Sequence, residues 1–298
     1  MRRRAGPARA PAILAAAAMA LAAFVAPIVP ARAQAPAPAR SPDPAAAALA
    51  PGPTASDSSD GAGRPSLFRT SDLAYAGVVF GGVLLIEPLE GFERSVRAHT
   101  PSDPTGFDRT FVDAGDVAGS PYLDVGLALA AWGGGKLAGS PGIEKAGLDA
   151  VETLVAADAV VLGGKILLGR RRPYATSDPD QFSPLAFHEV NQSYPSGHAV
   201  RAFALAAVAV ADFPDQRWVP WVAWPAAAAT AASRVVGRDH WVTDVVGGAA
   251  LGILSTRVIL RLDARRGRGG SSSGRRAPSF ALLPVPGGAG AVLDLPLR

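Results

Sequence analysis

Six apolar segments rich in Ala, Leu and Val, near residues 72–87, 121–135, 143–169, 198–213, 218–235 and 241–261, narrow the folds open to this chain. Most are long enough to be helices, and the polar–apolar alternation of a half-buried strand is scarce among them. An apolar helix face has to be buried against another element. The expected fold class is therefore all-α, an antiparallel bundle of about six core helices with its functional site at one end.

The order of the segments gathers the chemically capable residues at that end. Helix 143–169 runs out into Lys165 and then Arg172-Pro173. A loop, 170–194, leads to Pro195-Ser196-Gly197-His198, which opens a helix running away to Asp212. Phe-Pro-Asp-Gln at 213–216 reverses the chain, and the returning helix delivers Ser233-Arg234. His240 starts the next outgoing helix, with Asp244 in its first turn.

His240 and Asp244 stand at i and i+4, on one helix face. A carboxylate there accepts the ring N–H, fixes the tautomer and leaves the other nitrogen free to attack. Taken alone, such a pair reads first as a surface staple; its company changes that. Arg172 and Arg234 offer planar forks that match phosphate oxygens, and Lys165 adds a movable point charge. Ser196 and Gly197 bring a hydroxyl and exposed backbone N–H groups to a helix N-terminus, a ready anion site that doubles as an N-cap. Arg170 and Arg171 read as a solvated charge run at a helix C-terminus. Asp158, two turns before Lys165, reads as a satisfied buried carboxylate. Trp218, Trp221 and Trp224 read as a packed or interfacial stripe, and loop 174–194 as the roof of the pocket. No role falls to His99 or His188.

In the order K-x6-RP, PSGH and SR-x5-H-x3-D, these residues (KILLGRRRP at 165–173, PSGH at 195–198, SRVVGRDHWVTD at 233–244) resemble the type 2 phosphatidic acid phosphatase (PAP2) family. Its superfamily also holds bacterial acid phosphatases and vanadium haloperoxidases. The resemblance covers roughly residues 143–260. It implies that His240 is a nucleophile passing through a phosphohistidine, with Asp244 behind it. It also implies that His198 is the general acid for the leaving alcohol, a task that needs a pKa near working pH. The activity implied is hydrolysis of a phosphomonoester or diphosphate, on a lipid or a soluble molecule, without a metal or other cofactor and with vanadate as an inhibitor. Two alternatives remain open: a haloperoxidase with vanadate as cofactor in the same residues, and a non-catalytic lipid-phosphate binding module.

The rest of the 298 residues bound the setting. Residues 1–33 have an Arg-rich start, an apolar stretch and Ala31-Arg32-Ala33, the form of a cleavable signal peptide. Residues 34–66, rich in Ala, Pro, Ser, Asp and Gly, read as a disordered leader. The phosphatase-like domain then spans 67–262, followed by a flexible basic linker, 263–280, and a tail or hairpin, 281–298. Without residues 1–33 and their five arginines, the formal charge falls from +4 to −1, and residues 257–298 carry eight arginines against two aspartates. The basic balance thus sits at the chain ends and does not point to nucleic acid. With no cysteine, thiol chemistry is excluded. The signal favours an exported protein, periplasmic and soluble or membrane-associated. Six spans with an outward-facing site is the alternative, against which stand the short segments, Arg201, Pro220 and Pro225.

Overall fold

In the computed structural model, residues 69–84, 86–269, 279–285 and 288–294 are described. The signal peptide and leader assigned from sequence lie outside them. The described residues form eight helices: α1 (Thr70–Leu84), α2 (Ile86–His99), α3 (Gly106–Ala118), α4 (Pro121–Leu137), α5 (Pro141–Leu168), α6 (Gly197–Asp212), α7 (Val219–Val236) and α8 (Val242–Gly269). All six apolar segments become helices, and the core is all-α as expected. Helices α2 and α3 are additions. Their sequences, IEPLEGFERSVRAH and GFDRTFVDAGDVA, interrupt their apolar residues with charged ones, so a search for apolar runs passes over them. Each is nonetheless anchored by a few buried residues, Glu93 and Val96 in α2 and Val112 in α3.

Local chemistry sets the helix ends. The Ser120 hydroxyl accepts from Leu123 N at 3.2 Å, with Pro121 in the first turn of α4. Gly169, at φ 62°, ends α5 in the left-handed region, where a side chain would also strike the Ser183 carbonyl.

Helix α6 is the central post, packed against α5, α7 and α8. Ala199, Val200, Phe203 and Ala204 on it are fully buried, as are Leu154 and Ala157 of α5, Ala231 of α7 and Ala249 of α8. Burying a side chain the size of Phe203 contributes about 1.5–3 kcal/mol. The many alanines let the helices approach closely, and glycine sharpens this where α8 meets α6. A Cβ on Gly248 would stand 2.7 Å from the Ser196 carbonyl oxygen.

Helix α8 continues to Gly269, into the segment read as a linker. After it, strands β1 (Ser279–Val285) and β2 (Gly288–Asp294) pair antiparallel from Ser279↔Asp294 to Val285↔Gly288, the hairpin that the sequence left undecided.

Candidate active site

The three motifs meet at one end of the bundle. Lys165 lies in the last turn of α5. The chain beyond Gly169 is held to the following loop by Arg171 N to the Gln181 carbonyl and Arg172 N to the Val190 carbonyl, both 2.9 Å. Ser196 is the N-cap of α6, its hydroxyl 3.5 Å from Ala199 N, and Gly197 and His198 form the first turn. Arg234 sits in the last turn of α7. A turn through Arg238, at φ 57°, then brings His240 to the start of α8, where Asp239 N and His240 N both donate to the Arg234 carbonyl.

Asp244, fully buried, ties the motifs together. Its Oδ1 accepts from Arg170 Nη1 at 2.6 Å. Its Oδ2 accepts from Ser193 Oγ at 2.5 Å and from Trp241 N at 2.8 Å, and stands 3.5 Å from His240 Nδ1. The last distance is a close contact rather than a good hydrogen bond, and Nδ1 has no hydrogen-bond partner among the described residues. Catalytic hydrogen bonds are often long before a ligand arrives. The Asp244 backbone carbonyl accepts from Ser196 N at 3.0 Å, so the PSGH turn is moored to the first turn of α8.

One field links these groups. Burial pushes the His240 imidazole down to about 4; the charges of Arg172 and Lys165 add to this, and Asp244 opposes it. Burial likewise pushes His198 down to about 3, helped by Arg234, Arg201 and His240. Lys165 falls to about 8, again through burial first and then Arg172 and Arg201. Burial alone would raise the Asp244 carboxyl, but Arg170, the nearby His240 ring and the hydrogen bond from Ser193 hold it down at about 2. Both imidazoles are therefore neutral near pH 7. For His198 this corrects the expected pKa near working pH; the cause is burial first, with the charges of Arg234 and Arg201 adding to it.

Carboxylates stand around that clamp. Asp116 of α3 pairs with Arg234 Nη1 and lies 3.8 Å from His198 Nε2. Asp239 reaches Arg234 Nη2 at 3.1 Å and Arg172 Nη1 at 4.0 Å. Glu189, from the loop expected to roof the pocket, meets Arg172 at 3.3 Å. Three other carboxylates, Glu90, Asp178 and Asp180, come close enough to share a cation, but Arg94 already pairs with Glu90 and Asp178, and the group includes none of the motif residues.

Several residues were misread or missed in the sequence. Arg170 is fully buried between the rings of Trp241 and Phe182 and bonded to Asp244, not solvated. Its polar tract hides this, because the acid that receives it lies 74 positions away. Arg201, three residues after His198, is buried against the Gly119 carbonyl, Asp158 and Asp124. Asp158 is thus paired as expected, though a third of its side chain is exposed. The tryptophans divide: Trp224 packs on Phe203, while Trp218 and Trp221 are exposed. Asp239, beside His240, was visible in the sequence; nothing there marked Asp116 or Glu93.

Comparison with known proteins agrees with this picture. The profile of the PAP2 superfamily matches residues 146–268. Over 96 residues the chain is 35% identical to the lipid A 1-phosphatase of Porphyromonas gingivalis, covering 32% of this chain and 19% of that protein. The chain thus spans about a fifth of the length of that curated relative. Its fold resembles the crystal structure of a transmembrane PAP2 type phosphatidylglycerolphosphate phosphatase from Bacillus subtilis, with TM-score 0.52 and 20% identity over 69% of this chain and 98% of that one. The matched stretch, residues 146–268, contains all three motifs and is similar to the PAP2 superfamily.

Proposed function

We propose that this protein hydrolyses a phosphate ester of a lipid through a phosphohistidine on His240. The observation that carries the reading is the knot at Asp244, which holds a buried, neutral imidazole under the charges of Lys165 and Arg172. In the first step a His240 ring nitrogen attacks phosphorus while the P–O bond to the alcohol breaks. Lys165, Arg172, Arg234 and the N–H groups at the start of α6 take the charge of the equatorial oxygens. His198 protonates the leaving alkoxide, then accepts a proton from the water that attacks the phosphohistidine, and phosphate departs.

The low pKa of free His198 gives this sequence an order. A phosphate dianion arriving between the cations offsets the charges of Arg234 and Arg201, so the imidazole gains its proton as the substrate binds. The proton is then in place when the leaving group needs it.

A lipid substrate follows from the outer surface. Leu148, Val155 and Leu162 lie seven residues apart along one exposed face of α5, and Trp218 and Trp221 are exposed at the start of α7. Such a surface fits a bilayer or its interface better than water. Helix α8 has the length and composition to cross a membrane over Val242–Arg265, though half of that apolar window is buried in the protein. The names of the two similar proteins, a lipid A 1-phosphatase and a transmembrane phosphatidylglycerolphosphate phosphatase, fit a membrane-associated enzyme. Phosphate release by the purified chain, compared across a phosphatidate, a polyprenyl diphosphate and a soluble monoester, tests the reading. Release from the lipid monophosphate is expected; exclusive release from the soluble ester overturns the lipid assignment, and no release at all overturns the enzyme.

A further inference from the structure

Behind Asp244 lies a second buried ionic group that the phosphate chemistry does not use. Glu93 of α2 is 1% exposed, yet it lies outside the stretch that matches the family. Its Oε2 accepts from Val242 N and its Oε1 from Thr243 N, both at 2.9 Å, so a side chain from a distant helix caps the N-terminus of α8. The Thr243 hydroxyl donates to Glu93 Oε1 at 2.6 Å and accepts from Arg170 Nη1 at 2.7 Å. Arg170 Nη2 stands 4.0 Å from Glu93 Oε1, and Nη1 also holds Asp244 at 2.6 Å. The Arg170 guanidinium is further fixed by Nε bonding to the Pro179 carbonyl at 2.9 Å and by the rings of Trp241 and Phe182. The order is Glu93, Thr243, Arg170, Asp244, His240, with charges alternating along it.

Two features argue for more than folding glue. Among the described residues, the one ion pair shorter than 4 Å that Arg170 makes is with the carboxylate that faces the nucleophile. Glu93, in turn, fixes both Arg170 and the first turn of the helix that carries Asp244. From these contacts we infer that Arg170 and Glu93 are positioning residues for the His240–Asp244 pair: Arg170 aims and holds the Asp244 carboxylate, and Glu93 holds Arg170 and anchors α8. This rests on His240 being the nucleophile, and it adds a part of the machinery contributed from outside the family-matched segment.

The two residues act on the pair with opposite sign. Other charges bear on it as well: Lys165 of α5, Arg172 of the following loop and His198 of α6, with the Tyr194 phenol nearby. All of these are unaltered in the variants below. Adding a proton to the pair puts positive charge beside Arg170. Removing Arg170's charge therefore makes the proton easier to add, whichever member of the pair takes it. Burial pushes the Glu93 carboxyl up, but Arg170 and three donated hydrogen bonds favour its ionised form, and removing that negative charge makes the proton harder to add.

The test measures two things on the full-length chain and on Arg170→Gln, Arg170→Lys and Glu93→Gln. One is the pH profile of kcat/KM with para-nitrophenyl phosphate and a short-chain phosphatidate. The other is the titration of the His240 ring by NMR, which needs no turnover. For Arg170→Gln we expect the acid limb and the His240 titration to move up by about one pH unit. Its kcat should fall at least about tenfold while KM stays within about threefold, since Arg170 does not face the phosphate. Arg170→Lys should bring the limb back toward wild type. Glu93→Gln should move both readouts down. Unmoved titrations, or shifts of the same sign in the Gln variants, overturn the proposal even if stability falls. If Arg170→Gln does not fold, an unmoved or upward titration in Glu93→Gln overturns it alone. A chain without phosphatase activity whose His240 titration still moves as stated refutes the catalytic reading but leaves the positioning intact.

Discussion

Asp116 of α3 pairs with Arg234, a cation of the proposed phosphate clamp, and from the same position lies 3.8 Å from His198. With about half of its side chain exposed, the carboxylate is free to turn away when an anion arrives. Until then it competes with phosphate for the same guanidinium. At such a half-exposed site a unit charge acts with an energy of about 1 kcal/mol. Asp116→Asn is therefore expected to lower the inhibition constant for inorganic phosphate by roughly fivefold. Product inhibition measured on the variant checks this; weaker inhibition would mean that Asp116 organises the clamp rather than blocking it.

His240→Ala should abolish phosphate release, with a loss of at least about four orders of magnitude, because the attacking atom is gone. Asp244→Asn should cost less, since it leaves the nucleophile present and disturbs its orientation. Release should also persist in EDTA, because three cations already face the phosphate. Initial rates of the two variants, and of wild type with chelator, decide each point. Full activity in His240→Ala would falsify the phosphohistidine step.

Anion binding should be accompanied by proton uptake. Free His198 and His240 sit at about 3 and about 4, below the ordinary imidazole value, so both are neutral at pH 6. An anion in the clamp offsets the positive field at His198 and raises its pKa, which draws a proton from solution. Calorimetric titration of sulfate, a dianion with no titratable proton near pH 6, in buffers of different ionisation heat, should give net proton uptake. The uptake should shrink as pH rises above the unperturbed imidazole range. Release of protons, or none exchanged, would contradict the field assigned to Arg234 and Arg201.

Vanadate mimics phosphate at the five-coordinate stage and should inhibit phosphate release competitively. Binding does not separate the hydrolase from a haloperoxidase, whereas turnover does. Vanadate-loaded protein given peroxide and bromide is expected to show negligible halogenation, while the apo protein hydrolyses a phosphate ester. Efficient halogenation with little hydrolysis would overturn the assignment.

Gly248→Ala should destabilise the fold and impair catalysis together. The added methyl would meet the Ser196 carbonyl oxygen at 2.7 Å and push α8 away from the PSGH turn. Overpacking of this kind costs about 1–3 kcal/mol. Thermal unfolding should drop by several degrees. An unchanged melting temperature with full activity would mean that the α6–α8 contact is looser than described.

The chain's own pattern determined the all-α class, the six main helices and the end of the bundle at which Lys165, Arg172, Ser196, Arg234 and His240 meet. These follow from periodicity, caps and chain reversal, which are local properties legible over a few turns. The environment of each charge was decided elsewhere. Arg170 and Arg172 are two residues apart in one basic run, yet the first is sealed between Trp241 and Phe182 on Asp244 while the second faces Glu189 and Asp239. Helices α2 and α3, whose apolar residues are interrupted by charged ones, supply Glu93 and Asp116 across more than a hundred positions of sequence. Burial and partner charge are properties of the packed bundle, because they depend on which distant backbone closes over a side chain. They decide whether an arginine is solvated, a histidine neutral or a carboxylate held ionised.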